Sequence, residues 1–438
     1  QHARMLRRAF PDVYEGWLVV GSSAFVVLLI AATFFYGFGT IFNEVVLEFG
    51  WSVGATSLAF SLRSEVGGVA APFIGAFIDR AGPGRVLIVG IVVAALGVLA
   101  MSFMQTLWQF YVAMFVIALG TSSAGGQVGL AAIATWFRSR RAGAMSIMTL
   151  GGGLGGVLVV GVAALVDAFG WRWALRVLTL GMVTLGMAAA LNVRARPPGH
   201  PQPMDGIRAR DWREGDEEIA DWGVPVSTVV RSPAFVLLAL AFILNNFGTT
   251  AVVVHQIPYL ERSIGASKAV AGSTVAIFTL TSIVGRLGFG FLADRYSKRL
   301  MMALAMALVV AGLPLLALAQ ELWQAMLAIV LIAPGFGGTI PVRPAILADY
   351  FGTKSFGTLN GIMSLAQTTG GAVGPWVVGV LVDRTGTYDL GWWISAGVGA
   401  LAIPFVLLAA PPTALAERFR PPPPPVRPPQ PPAGASAR

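Results

Sequence analysis

Apolar runs of about twenty residues recur along the whole chain, each closed by a brief cluster of Arg, Asp, Gly or Pro, and lipid is the solvent such runs require. A helix rising 1.5 Å per residue crosses a hydrocarbon core of roughly 30 Å in that length. Helices satisfy their own backbone donors and acceptors, which a bilayer interior cannot do for them. The expected architecture is an all-α membrane protein of twelve spans, over residues 16–41, 53–78, 86–104, 108–136, 142–166, 172–193, 233–260, 269–293, 300–319, 323–350, 356–381 and 389–410. Only 12% of the 438 residues are charged, about half the share of an ordinary soluble domain. No water-facing fold hides so much apolar surface.

The net charge of +9 invites a nucleic-acid reading, but its placement speaks against one. About 22 of the 30 Lys and Arg fall in loops on one face, and about four on the other: Arg172, Arg262, Lys268 and Arg384. The positive-inside rule makes the rich face cytoplasmic, with both termini there, in a cell membrane expected to be a bacterial inner membrane. The first run follows Arg4, Arg7 and Arg8 and is too long for a signal-peptide core, so it reads as a permanent helix. The chain has no cysteine, which excludes disulfides and thiolate metal sites. No phosphate loop, paired-carboxylate cleft or metal-ligand cluster is visible, so neither an enzyme nor a cofactor is expected.

Residues 194–231 break the apolar pattern and divide the chain into a first half (1–193), a linker (194–231), a second half (232–410) and a Pro-rich tail (411–438), expected to be disordered and a possible partner site. The halves repeat. Gly75-Ala-Phe-Ile-Asp79-Arg80-Ala-Gly82-Pro-Gly84-Arg85 after the second run matches Gly290-Phe-Leu-Ala-Asp294-Arg295 after the eighth, and Trp136-Phe137-Arg138 matches Tyr350-Phe351-Gly352, at one offset of about 215 residues. This duplication resembles the major facilitator superfamily, whose Gly-x-x-x-Asp-Arg-x-Gly-x-Arg loop corresponds to residues 75–85. The resemblance covers about residues 14–410. It implies two pseudo-symmetric six-helix bundles that rock about a midplane site. Asp79 is expected to hold Arg80, Arg85 or a neighbouring helix end, with Asp294 and Arg295 as the counterpart, in a gate lock; the alternative is that these charges merely mark topology. The runs Gly151–Gly156 and Gly370–Gly374 are expected to form the flat rocking surface.

Charged and polar side chains inside spans are functional candidates because lipid penalises them. Arg286 lies eight residues before Asp294, about 12 Å inside the helix end, with Thr279 and Ser282 on its face. Its planar fork suits a carboxylate in two-point contact, and Gly285 and Gly288 are expected to leave room beside it. Pairing with an acid on another helix is the competing role, for which Glu65 is the clear intramembrane candidate. Arg343, between Pro341 and Pro344, either touches cargo or bonds carbonyls freed by the prolines. Glu65 either carries a proton or joins a static network with Arg63. His255 reads as a cargo or proton site, or as a packing residue. Tyr36, Gln127 and Asn246 complete the set of candidate cavity residues.

Glu15-Gly16-Trp17 and Trp136-Phe137-Arg138-Ser-Arg140-Arg141-Ala-Gly143-Ala-Met-Ser further resemble the two signature stretches of the monocarboxylate porter family. That resemblance places the family's carboxylate-binding arginine, shared with the oxalate and formate exchangers, on Arg286. It implies carriage of a small organic anion such as lactate or pyruvate, with proton coupling in many members. Two departures bear on coupling: the acid often found one turn before the arginine is Ser282, and the first-span lysine of the animal members aligns with about Thr40. Exchange without protons, efflux of amphipathic compounds and a non-transporting receptor are the alternatives.

Overall fold

The computed structural model describes residues 14–197, 200, 205 and 222–420; the side chains of residues 35, 36, 39, 43, 53, 54, 57, 59–65, 268 and 269 lie outside that description. Twelve long helices are present among the described residues. Helix α1 joins Glu15–Ile30, a π-helical turn Ala31–Tyr36 and Phe38–Phe49. Helices α2 (Val53–Ala81) and α3 (Pro83–Met101) follow, then α4, formed of Leu107–Ala124 and Gly126–Trp136 with a break at Gly125. Helices α5 (Arg141–Phe169) and α6 (Trp171–Ala190) complete the first bundle. The second comprises α7 (Pro233–Arg262), α8 (Lys268–Arg295), α9 (Lys298–Leu318), α10 (Leu322–Phe351), α11 (Phe356–Thr385) and α12 (Asp389–Leu408). Eleven have the length and apolarity to cross a membrane; α2, equally long, carries Arg63, Glu65 and Asp79.

Local chemistry sets several boundaries. The Ser52, Ser232 and Ser267 hydroxyls accept from the amides of Ala55, Phe235 and Val270, capping α2, α7 and α8. Gly82, at φ +82°, followed by Pro83 turns the chain sharply between α2 and α3, the left-handed backbone that a side chain would oppose.

Three expectations need correction. The first span continues to Phe49 rather than ending at 41, because its polar end is tied down: Glu48 accepts from Trp171 Nε1 at 2.7 Å and pairs with Arg172, while Phe49 stacks on Trp51 at 4.4 Å. The tail is not wholly irregular. Thr413–Phe419 forms a further helix, α13, from a proline-free stretch of helix formers, with Ala416 buried; residues 421–438 lie outside the described residues. The glycine-rich runs chiefly bind helices within each bundle. A Cβ on Gly151 would overlap the Ala24 carbonyl of α1, and one on Gly370 the Ile243 carbonyl of α7. Between the bundles Gly75 of α2 lies against Gly357 of α11 and Gly361 of α11 against Ala71 of α2, while Gly290 of α8 meets Ser146 of α5.

The packing is uneven along the helix axes. At the end carrying the arginine-rich loops, here called the basic end, one continuous core runs through both bundles, from Val19, Trp136 and Met148 to Phe289, Phe351 and Met363. At the opposite end each bundle has its own core, around Phe38, Phe110 and Trp171 in the first and Tyr259, Leu313 and Trp392 in the second. The halves therefore close on each other at the basic end and stand apart at the other.

Candidate functional site

The space between the two separate cores is a cavity of about 670 Å³ bounded by helices of both bundles. Val27, Ile30, Val253, Phe278, Phe336 and Ile340 give it apolar walls; Thr121, Ser122, Thr279, Ser282 and Arg286 supply the polar groups. Arg286 is the one charged residue in this lining among the described residues.

Arg286 bridges the bundles. Its Nη1 donates to the Thr149 carbonyl of α5 at 2.7 Å, and the glycines beside it are Gly152 and Gly153, where an added Cβ would lie 3.8 Å from Nη1. Gly285 instead lets α10 approach, since its Cβ would overlap the Pro334 carbonyl, and Gly288 faces open space. Gly285 thus gives its room to a neighbouring helix, and the glycines that face the guanidinium itself, Gly152 and Gly153, come from α5. Ser282 Oγ donates to Thr279 O at 2.7 Å and Thr279 Oγ1 to Val275 O at 2.8 Å. Their hydrogens are engaged with their own helix, so the charge-assisted donors facing the cavity belong to Arg286.

Other candidates sit elsewhere. Asn246 Nδ2 donates to Gln367 O at 2.8 Å, and His255 Nε2 contacts Pro375 O at 2.9 Å, so both brace α7 against α11 within the second bundle. Neither lines the cavity. Gln127 follows the cavity residue Gly126, with its Oε1 enclosed and unbonded among the described residues. Arg343 is part-buried on α10 outside the lining, and among the described residues it bonds none of the carbonyls that Pro341 and Pro344 leave over. The side chains of Tyr36 and Glu65 lie outside the described residues. The backbone of Tyr36 closes the π-helical turn that begins at the cavity residue Ala31, a helix defect frequent at functional sites.

At the basic end the repeated aspartates bind helix N-termini across the two bundles. Asp79 accepts from the amides of Gly357 (2.7 Å) and Thr358 (2.8 Å) and from the Thr358 hydroxyl (2.6 Å), at the start of α11. Asp294 accepts from the amides of Ala142 (2.9 Å) and Gly143 (2.8 Å), at the start of α5. A carboxylate there meets unsatisfied N–H groups and the positive end of the helix dipole. Arg80, Arg85 and Arg295 are exposed, so the contacts of these two aspartates run to backbone amides rather than to the neighbouring guanidiniums.

Sequence reasoning missed the ion pairs beside these contacts. Arg141 pairs with Asp349 of α10 and donates to the carbonyls of Phe137 and Ala134, while Lys298 reaches Asp349 at 2.8 Å. Arg141 stood in a quoted signature stretch, but its partner is 208 residues away and nothing along the chain names it. The linker is tied in as well: Asp205 accepts from Ser139 and Arg140, and Glu15 pairs with Arg194 and with His200 at 2.8 Å. Tyr14, just ahead of α1, donates to Trp136 O at 2.6 Å. Burial pushes its phenol up to about 12, which keeps that donor protonated.

Two halves of six helices, meeting at one end around a central cavity, match a known pattern in sequence too. The Major Facilitator Superfamily profile aligns with residues 24–257 and again with 238–437. The chain belongs to the major facilitator superfamily. Among relatives, monocarboxylate transporter 13 of Rattus norvegicus is 25% identical over 404 residues, covering 92% of this chain and 90% of that protein. Human monocarboxylate transporter 11 is 27% identical over 414 residues, covering 92% and 84%. Among solved structures, FucP in its outward conformation superimposes with a TM-score of 0.69 at 15% identity, over 90% of this chain and 98% of that one. A bacterial homologue of ferroportin in an outward-facing state gives 0.68 at 14% identity, over 91% and 99%. At those identities the structural likeness is one of fold.

Proposed function

We propose that this superfamily member carries a small organic anion, a monocarboxylate such as lactate or pyruvate, across a cell membrane by alternating access, together with a proton. The observation that carries the reading is Arg286, the one charged residue among the described residues that line a largely apolar cavity. A fixed cation there favours an anionic head, and apolar walls favour a short hydrocarbon body. The names of the relatives support the same class of cargo.

In this reading the basic end is cytoplasmic, both termini lie there, and the cavity faces outward. Cargo bound to Arg286 sits against the α5 seam, since the same guanidinium already reaches Thr149 of the other bundle. Opening of the basic end then exchanges one seam for another around a fixed site. Bringing an unaccompanied monoanion into a negative-inside cell costs about 2.3 kcal/mol per 100 mV, and a co-moving proton removes that cost. Glu65 and His255 are the titratable candidates for it. Exchange of one carboxylate for another would dispense with both.

The test is uptake of labelled pyruvate, lactate and oxalate into proteoliposomes, with and without a pH gradient, for the parent, Arg286→Ala and Arg286→Lys. Arg286→Ala should lower uptake to background, on the order of 100-fold, and Lys should restore little, because a point charge lacks the bidentate fork. Undiminished uptake in both variants would overturn the reading. The apolar walls also favour a second reading, efflux of amphipathic compounds. A neutral amide of the same carbon skeleton separates the two: an anion carrier rejects it, whereas an exporter of amphipathic compounds moves it equally well.

A further inference from the structure

We propose that Arg343 is a second anion station on the transport path, taking the cargo's carboxylate after it leaves Arg286 and before release at the basic end. This rests on the anion-carrier reading above and extends it from one binding residue to a relay.

Position along α10 is the first support. Phe336 and Ile340 line the cavity, and Arg343 follows them at i+7 and i+3, on the same helical stripe. Its Cα is roughly 4.5 Å closer to the basic end than that of Ile340. The cavity-facing stripe of α10 therefore continues into a cation just beyond the cavity floor. Helix α10 also packs on the Arg286 segment of α8, where Gly337 meets the backbone of Ser282 and Arg286, so the two guanidiniums belong to adjoining helices at successive depths.

The second support is that Arg343 has no partner among the described residues. Its Nε is enclosed by protein, and among the described residues the side chain makes no hydrogen bond and no ion pair. Three carboxylates at that end are engaged elsewhere: Asp349 with Arg141 and Lys298, Asp294 with the first amides of α5, and Asp79 with those of α11. A cation enclosed even in part without a partner destabilises the state that contains it, and intramembrane charges of this kind mark ion and substrate paths. Once the seam between α5 and α8 parts, the stripe bearing Arg343 faces the widening exit, and a carboxylate released by Arg286 meets a second fork nearer the basic end.

A structural arginine and a station differ in what their loss does to stability. Arg343→Met, Arg343→Gln and Arg343→Lys would be made in the full chain and reconstituted, with thermal midpoint, binding of labelled pyruvate, lactate and oxalate, and flux of the same anions measured on each. Expected for Arg343→Met is a raised midpoint, binding from the cavity side within twofold of the parent, and flux lowered tenfold or more, with Lys recovering part of it. A lowered midpoint with flux falling only in proportion to folded protein would overturn the station, as would full flux in Arg343→Met or Arg343→Gln. Failure of the underlying reading is separately visible: there Arg286→Ala keeps its anion flux, whatever Arg343 does.

Discussion

The two seams that join the bundles descend from one duplicated motif, yet they are built differently. In the α2–α11 seam Asp79 holds the first amides of α11, Gly75 lies backbone to backbone against Gly357, and no ion pair crosses among the described residues. In the α5–α8 seam Asp294 makes the same kind of contact to the first amides of α5 and Arg286 reaches Thr149 farther in, while beside it Arg141 of α5 pairs with Asp349 of α10, which Lys298 of α9 also reaches. The first shows close packing and no ion pair among the described residues, and the second adds charged contacts, that of the cavity residue Arg286 among them. The aspartate contact occurs in both seams, whereas the ion pairs stand beside one of them.

Four measurements would sharpen or break that contrast, and the absence of cysteine makes them clean. Ser146→Cys reports on the α5–α8 seam and Asn360→Cys, its repeat counterpart, on α2–α11; both positions are buried. Labelling by a membrane-impermeant thiol reagent at the basic face measures opening. The largest effect is expected from Gly75→Ala, whose methyl has only backbone to displace: about 2–3 kcal/mol against the closed state, or roughly 100-fold faster labelling of Asn360→Cys. Parent-like labelling would mean that the neutral seam yields easily. Next comes Arg141→Ala, at about 2 kcal/mol and roughly 30-fold at Ser146→Cys, less than a fully buried pair because Asp349 is partly exposed and keeps Lys298. Equal effects at both reporters would erase the distinction between the seams.

Asp79→Asn and Asp294→Asn should each cost about 1.5 kcal/mol, roughly tenfold in labelling at their own seam, since hydrogen bonds to a charged acceptor are lost while an amide oxygen remains. A large difference between them would show that the duplicated locks are not equivalent. The smallest effects belong to Arg80→Gln, Arg85→Gln and Arg295→Gln, which should stay within about twofold because exposed charges are well solvated. A tenfold change from any of them would restore the arginines to the lock.

How far the chain could be read depends on the range of the interaction involved. Periodicity and apolarity are local, so twelve helices, their order and the repeat at Asp79 and Asp294 were legible. So was Arg286, because an arginine deep in an apolar run is conspicuous against its own neighbours. Asn246 and His255 look like cavity residues by the same criterion, yet they brace α7 on α11, since which face of a helix meets the cavity depends on partners more than 100 residues away. The glycine runs were misassigned for the same reason: a small residue permits close approach without saying to which helix.

By itself, then, the order of residues determined that the backbone must satisfy its own hydrogen bonds in lipid, that it does so in two related sets of six helices, and where positive charge is held within the bilayer. Only the tertiary structure decided that both aspartates grip helix N-termini across the bundles, that Arg141 meets Asp349, and that Arg286 faces a cavity with apolar walls. Helix formation in lipid is a contest between each segment and its solvent, settled within a few turns. Contacts between bundles depend on the packing of surfaces brought together from opposite halves of the chain, and no local pattern encodes them.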